Sequence, residues 1–174
     1  MLSVRDGNID DLDELFNRHH VTVYNYFLRL TRCRAGSEDL TQEVFLRILR
    51  FRHTYHGKGS FVAWMFQIAR NVGIDFFRKN KHNSTWDDQY NEIESKDPSP
   101  LDHVSHNQEI ELLHQALQRL PMKHRELIVL SRFEHLSVKE MAQLFKCPVN
   151  TIKVRIHRAI KELSTIYYQL VRVT

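Results

Sequence analysis

The stretch CPVNTIKVRIHRAIKEL, Cys147 to Leu163, brings Lys153, Arg155, Arg158 and Lys161 together within nine residues. Cations at that density grip phosphate, and arginine or asparagine beside them can also bond base edges. At about 100° per residue, Val149, Ile152, Ile156, Ala159, Ile160 and Leu163 share one arc of a helix. Asn150, Thr151, Val154, Arg155, His157, Arg158 and Lys161 fall on the opposite arc, with Lys153 at the border. The apolar arc predicts a face packed on a core, and the other predicts a grip on an acidic polymer. Val154 is the apolar member of the gripping face, where it can touch a thymine methyl group.

Such a helix needs a partner to aim it. In LSVKEM, Ser137 and Glu140 form an S-x-x-E capping box, with Leu136 and Met141 at the hydrophobic-staple positions. A helix therefore starts at Ser137 and stops near Phe145, and Pro148 suits the first position of the next. Two short helices joined by a tight turn, with small Ala142 at their crossing, form a helix-turn-helix. Upstream, Ile110, Leu113, Leu117 and Leu120 mark a helix ended by Pro121, and Leu127, Leu130 and Phe133 mark the one after it.

The first half has the same period. Ile9, Leu12, Leu15, Phe16, Val23, Phe27 and Leu30 predict one helix. Leu40, Val44, Ile48 and Phe51 predict a second, with Ser37 as N-cap and Glu38 and Asp39 in its first turn. Ser60 caps a third, with Phe61, Trp64, Ile68, Val72 and Phe76 inward. No segment carries the alternation of a strand, so the fold class is all-α: two small helical domains joined by a linker. The divisions are residues 1–82, 83–107 and 108–174.

Charge follows those divisions. Residues 1–82 hold 13 basic against 9 acidic side chains, residues 108–174 hold 11 against 6, and residues 83–107 hold 1 against 6. The net charge of +4 hides two basic blocks flanking an acidic tether. Early charges such as Arg5, Asp6 and Asp10 exclude a signal peptide, and no run of about 18 apolar residues is present to span a bilayer, so a cytoplasmic protein is expected. Cys33 and Cys147 offer no disulfide framework and read as small hydrophobes.

Beyond the helix-turn-helix, EDLTQEVFLRIL (Glu38–Leu49) and FVAWMFQIARN (Phe61–Asn71) in the first half, with LQRLPMKHRELIVL and the recognition segment in the second, resemble bacterial RNA polymerase sigma factors of the extracytoplasmic-function (ECF) type. The resemblance spans roughly Asp10 to Leu163. It implies two sigma domains, region 2 and region 4, and a factor that binds core polymerase, directs it to promoters and promotes initiation. It places Asp39, Gln42 and Glu43 on the clamp of the largest polymerase subunit, with the flap of the second subunit as a further contact. The loop before FVAWM would capture a flipped base of the −10 element, which assigns Tyr55, His56, Gly57 and Lys58 to a pocket, with Gly59 beside them. Phe66, Arg70, Asn71, Arg78 and Lys79 would face the melted strand, and Lys81 would add a further cation. Asn150, Thr151, Lys153, Val154, Arg155, His157 and Arg158 would read the −35 duplex. Val154 and His157 depart from residues common in relatives, which makes the preferred bases particular to this chain. The resemblance further implies an anti-sigma partner, in some relatives anchored in a membrane, and no insertion of this chain into the membrane.

Two rivals remain at the level of sequence. A DNA-binding regulator with a sensing domain shares the second half but gives no reason for EDLTQEVF or FVAWMFQIARN. An enzyme is suggested by 11 histidines, among them His103 and His106, yet no phosphate loop, HExxH or nucleophile constellation accompanies them. No catalytic residue, cofactor or metal is therefore assigned.

Overall fold

The computed structural model describes residues 1–8, 10–81 and 107–172, and every regular element among them is helical. The chain divides into two compact units. The expected linker, apart from Asn107, lies outside the described residues, as do Ile9, His103 and His106.

In the first unit, α1 (Leu2–Arg5) precedes α2 (Asp11–Thr31), α3 (Arg34–Arg50), a 3₁₀ turn (Arg52–Thr54) and α4 (Phe61–Lys81). The period-3.6 residues Leu15, Val23, Phe27, Leu30, Leu40, Val44 and Ile48 are buried, and α4 adds Met65, Phe66, Ile68, Ala69 and Val72. Phe16 departs from the expected stripe. It lies at the surface, stacked on His20 with ring centroids 4.8 Å apart and edge-on to Phe45 at 4.9 Å.

Helix α3 begins earlier than Ser37, because Cys33 is its N-cap and its sulfur accepts the Gly36 N–H at 3.3 Å. Ser37 is fully buried inside the helix, its hydroxyl donating to the Cys33 carbonyl at 2.6 Å and meeting the Thr31 hydroxyl at 3.1 Å. The first turn of α3 consequently holds no acid. Arg47 ties α3 to α4, donating to Glu43 at 2.6 Å and to Asp75 at 2.9 Å. Ser60 caps α4 as expected, its hydroxyl accepting the Ala63 N–H at 3.4 Å.

In the second unit, α5 (Asn107–Arg119), α6 (Met122–Ile128), a π turn (Val129–Phe133) and α7 (Val138–Leu144) all precede α8 (Val149–Val171), and α8 packs against α5, α6 and α7. Ala116, Leu117 and Leu120 are buried, but Ile110 and Leu113, at the start of α5, stay exposed. Pro121 ends the first helical run, and Arg125 secures the corner. Its guanidinium donates to the carbonyls of Leu117 at 3.0 Å and Leu120 at 3.1 Å, and also to that of Gln118.

The capping box at α7 is complete. The Glu140 N–H donates to Ser137 Oγ at 3.2 Å, and the Ser137 N–H donates to Glu140 Oε2 at 2.8 Å. Leu136 and Met141 are both buried at the staple positions. Ser137→Ala is expected to cost about 1 kcal/mol of the second unit's stability, read as a lower denaturant midpoint at unchanged slope. The turn after α7 closes on Lys146 at φ 50°, with the Cys147 N–H donating to the Ala142 carbonyl at 3.0 Å. Pro148 then stands as N-cap, one residue ahead of the first helical position.

Candidate nucleic-acid interface

Helix α8 separates its two roles by angle. Ile152, Ile156 and Ala159 are buried, Ile160 and Leu163 half-buried. Val149, expected on the packed face, is partly open at the helix start. On the other side Asn150, Lys153, Val154, Arg155, His157, Arg158 and Lys161 are exposed, while Thr151 is half-buried at the margin. Glu162 is the sole acid of this helix. It turns away from the cations to pair with His124 of α6. The outer face therefore keeps a single sign of charge, the requirement for tracking a phosphate backbone. Arg155 Nη1 rests 4.0 Å from Cys147 Sγ, a weak contact that leaves its charge uncompensated.

The first unit offers a different surface. After the 3₁₀ turn, the chain passes through Tyr55, His56, Gly57, Lys58 and Gly59, with φ of 71° at Gly57 and 99° at Gly59. Both glycines thus occupy a region that a Cβ disfavours. Tyr55 is half-buried in an aromatic cluster, 5.4 Å from Trp64 and 5.8 Å, edge-on, from Phe61, while His56 and Lys58 project into solvent. His19 joins the cluster 5.3 Å from Phe61, and burial, followed by the neighbouring Arg18 charge, lowers its pKa. Burial thus favours the uncharged ring, whose faces suit stacking. Trp64, expected in the core, is half-buried at the cluster's edge.

Phe66 does not share this surface. Its side chain is completely buried, edge-on to Tyr26 with centroids 5.3 Å apart, so it supports the core of the unit and faces no strand. Asn71, Arg78 and Lys79 are exposed on α4, and Arg70 is half-buried. Arg78 also donates to Asp75 at 3.2 Å. Gln67 and Ile74 are exposed at helical spacing from Asn71 and belong to the same face. The spacing of three and four from Asn71 was the available signal for them.

On α3, Asp39 and Gln42 are exposed, whereas Glu43 is half-buried and engaged by Arg47. Leu46, 59% exposed, extends the face of Asp39 and Gln42 by one turn. An apolar residue flanked by a carboxylate and an amide suits a partner helix with a cationic rim and an apolar centre. Among the described residues no helix is long and apolar enough to cross a membrane.

Two family models match the chain: Sigma-70 region 2 over residues 15–83, and Sigma-70, region 4 over residues 110–163. RNA polymerase sigma factor CarQ of Myxococcus xanthus is 31% identical over 95% of this chain and 94% of its own length. ECF RNA polymerase sigma factor SigM of Bacillus subtilis is 32% identical over 90% of this chain and 94% of its own. Among solved structures, the sigma factor RpoE of Bartonella quintana, in complex with the anti-sigma factor NepR, superposes with a TM-score of 0.73 at 23% identity, covering 90% of this chain and 96% of that one. CnrH in complex with the cytosolic domain of CnrY gives 0.70 at 21% identity, with 95% and 92% covered. These two likenesses establish a shared fold.

Proposed function

Because the chain belongs to the ECF sigma factors of RNA polymerase, whose members direct polymerase to promoters, we propose that its two units divide promoter recognition between duplex and melted DNA. The outer face of α8 reads the −35 element, with Asn150, Lys153, Val154, Arg155, His157 and Arg158 toward the groove and Thr151 at its margin. One observation supports this above the others: Lys153, Arg155 and Arg158 project from one exposed face while Glu162 is drawn off by His124. In the first unit, Tyr55, His56, Gly57 and Lys58 capture an unstacked base of the −10 element, and Arg70, Asn71, Arg78 and Lys79 follow the strand. Asp39 and Gln42, extended by Leu46, dock on the polymerase clamp, and Glu43 acts mainly by orienting Arg47.

The chain thus acts as an initiation factor in the cytoplasm and leaves RNA synthesis to core polymerase. Its partners are core polymerase, promoter DNA and an anti-sigma protein, a partner class supported by the complex of RpoE with the anti-sigma factor NepR. Adding the purified chain to core polymerase should yield run-off transcripts from a cognate promoter and none from a scrambled one. Failure to associate with core polymerase at low salt would refute the assignment.

A further inference from the structure

Helix α1 has no part in the reading above, yet it is firmly held. Val4 is completely buried, and the helix packs against both α2 and the 3₁₀ turn that leads into the 55–59 loop. Leu2 reaches that loop directly: a Cβ at Gly57 would stand 3.2 Å from Leu2 Cδ2 and 3.6 Å from Cδ1. Position 57 favours glycine for its φ of 71°, and a Cβ there would press on the end of the Leu2 side chain, which would have to give by a few tenths of an ångström. Beside this contact lies an open groove of about 580 Å³, whose walls include Met1, Leu2, His19, Tyr55, Phe61 and Val62.

That lining has a specific chemistry. Tyr55, Phe61 and His19 bring three rings to the groove, and burial favours the uncharged imidazole. Leu2, 47% exposed despite its contact with the loop, brings an aliphatic surface to the groove. A nucleobase is planar, with apolar faces, and is held by stacking whatever its sequence identity. The volume lies within the roughly 300–1,000 Å³ common for small-ligand sites, ample for one base and its sugar.

Resting on the reading of the 55–59 loop as a strand-capture loop, we propose that α1 is the outer wall and brace of the base pocket. Leu2 fixes the loop through Gly57 and closes the groove on one unstacked base of the melted strand, which makes it a positioning residue for promoter opening.

The test uses the full chain assembled with core polymerase on a promoter whose non-template strand is unpaired across the −10 element. Each base of that strand is replaced in turn by an abasic site. The wild-type chain should lose about tenfold in affinity at the captured position, the scale of one stacked base. Leu2→Ala should reduce that abasic penalty to less than about twofold, with binding to a −35 duplex and to core polymerase unchanged, and Leu2→Met should recover most of it. Should Leu2→Ala unfold the first unit, Leu2→Gln, which keeps the length of the side chain but replaces its aliphatic end with a polar one, provides the same readout. A parallel arm with Tyr55→Ala tests the loop itself. A full abasic penalty in Leu2→Ala alongside a lost one in Tyr55→Ala overturns the role of α1 alone. A full penalty in both overturns the capture loop, and the role of α1 falls with it.

Discussion

Phe66→Ala is expected to destabilise the first unit by about 3–5 kcal/mol, one of the largest single losses available in this chain. The ring is completely buried and meets Tyr26 edge-on, so truncation removes apolar burial, an aromatic contact and the filling of the space between α2 and α4. Denaturant unfolding of the full chain, followed by circular dichroism, should show a midpoint shift confined to one transition. A phenylalanine that stacked on DNA would behave in the opposite way, leaving stability near the wild-type value and weakening single-strand binding. Phe66→Leu should recover much of the loss, because it restores volume without restoring a stacking ring. If Phe66→Ala left the midpoint in place, the packed position of this side chain would be refuted.

Arg155→Ala and Arg158→Ala should each weaken binding to the −35 duplex by about 1–3 kcal/mol, with no comparable change in stability, since both side chains project from the exposed face of α8. Fluorescence anisotropy across a salt series separates two ways of doing so. A lost base contact relaxes the preference at one position and leaves the salt slope intact. A lost phosphate contact weakens every sequence alike and flattens the slope by about one unit. Wild-type affinity in both variants would refute the assignment of this face to DNA.

Much of the second unit can be read from residue order, because its determinants are local. The capping box at Ser137 joins residues only three apart in the chain, and the split of α8 into packed and exposed arcs follows from the 3.6-residue period. The misreadings arise where tertiary neighbours decide. Ser37 has an N-cap's composition, yet Thr31 and the Cys33 carbonyl draw its hydroxyl inward, and the helix starts three residues before it. Ile110 and Leu113 fit the periodic stripe but lie on the first turns of α5, where they remain exposed.

Likeness to relatives points Phe66 at the strand, and only its position against Tyr26 reveals the direction of the ring. Helix α1, at four residues, is too short for any period to declare it. The 55–59 loop is legible from its glycines and tyrosine, whereas the groove beside it combines three separate segments of chain.

Helix α8 runs for 23 residues, with its buried and exposed residues on opposite sides. This arrangement gives the protein a margin for evolutionary drift. Changes at exposed positions away from caps and buried partners usually alter stability by less than about 0.5 kcal/mol, so Val154 and His157 can vary without bringing the chain to its folding threshold. On the proposed reading of this face, duplicated copies could acquire different promoter sets one outward residue at a time, all on a scaffold that never needs to be rebuilt.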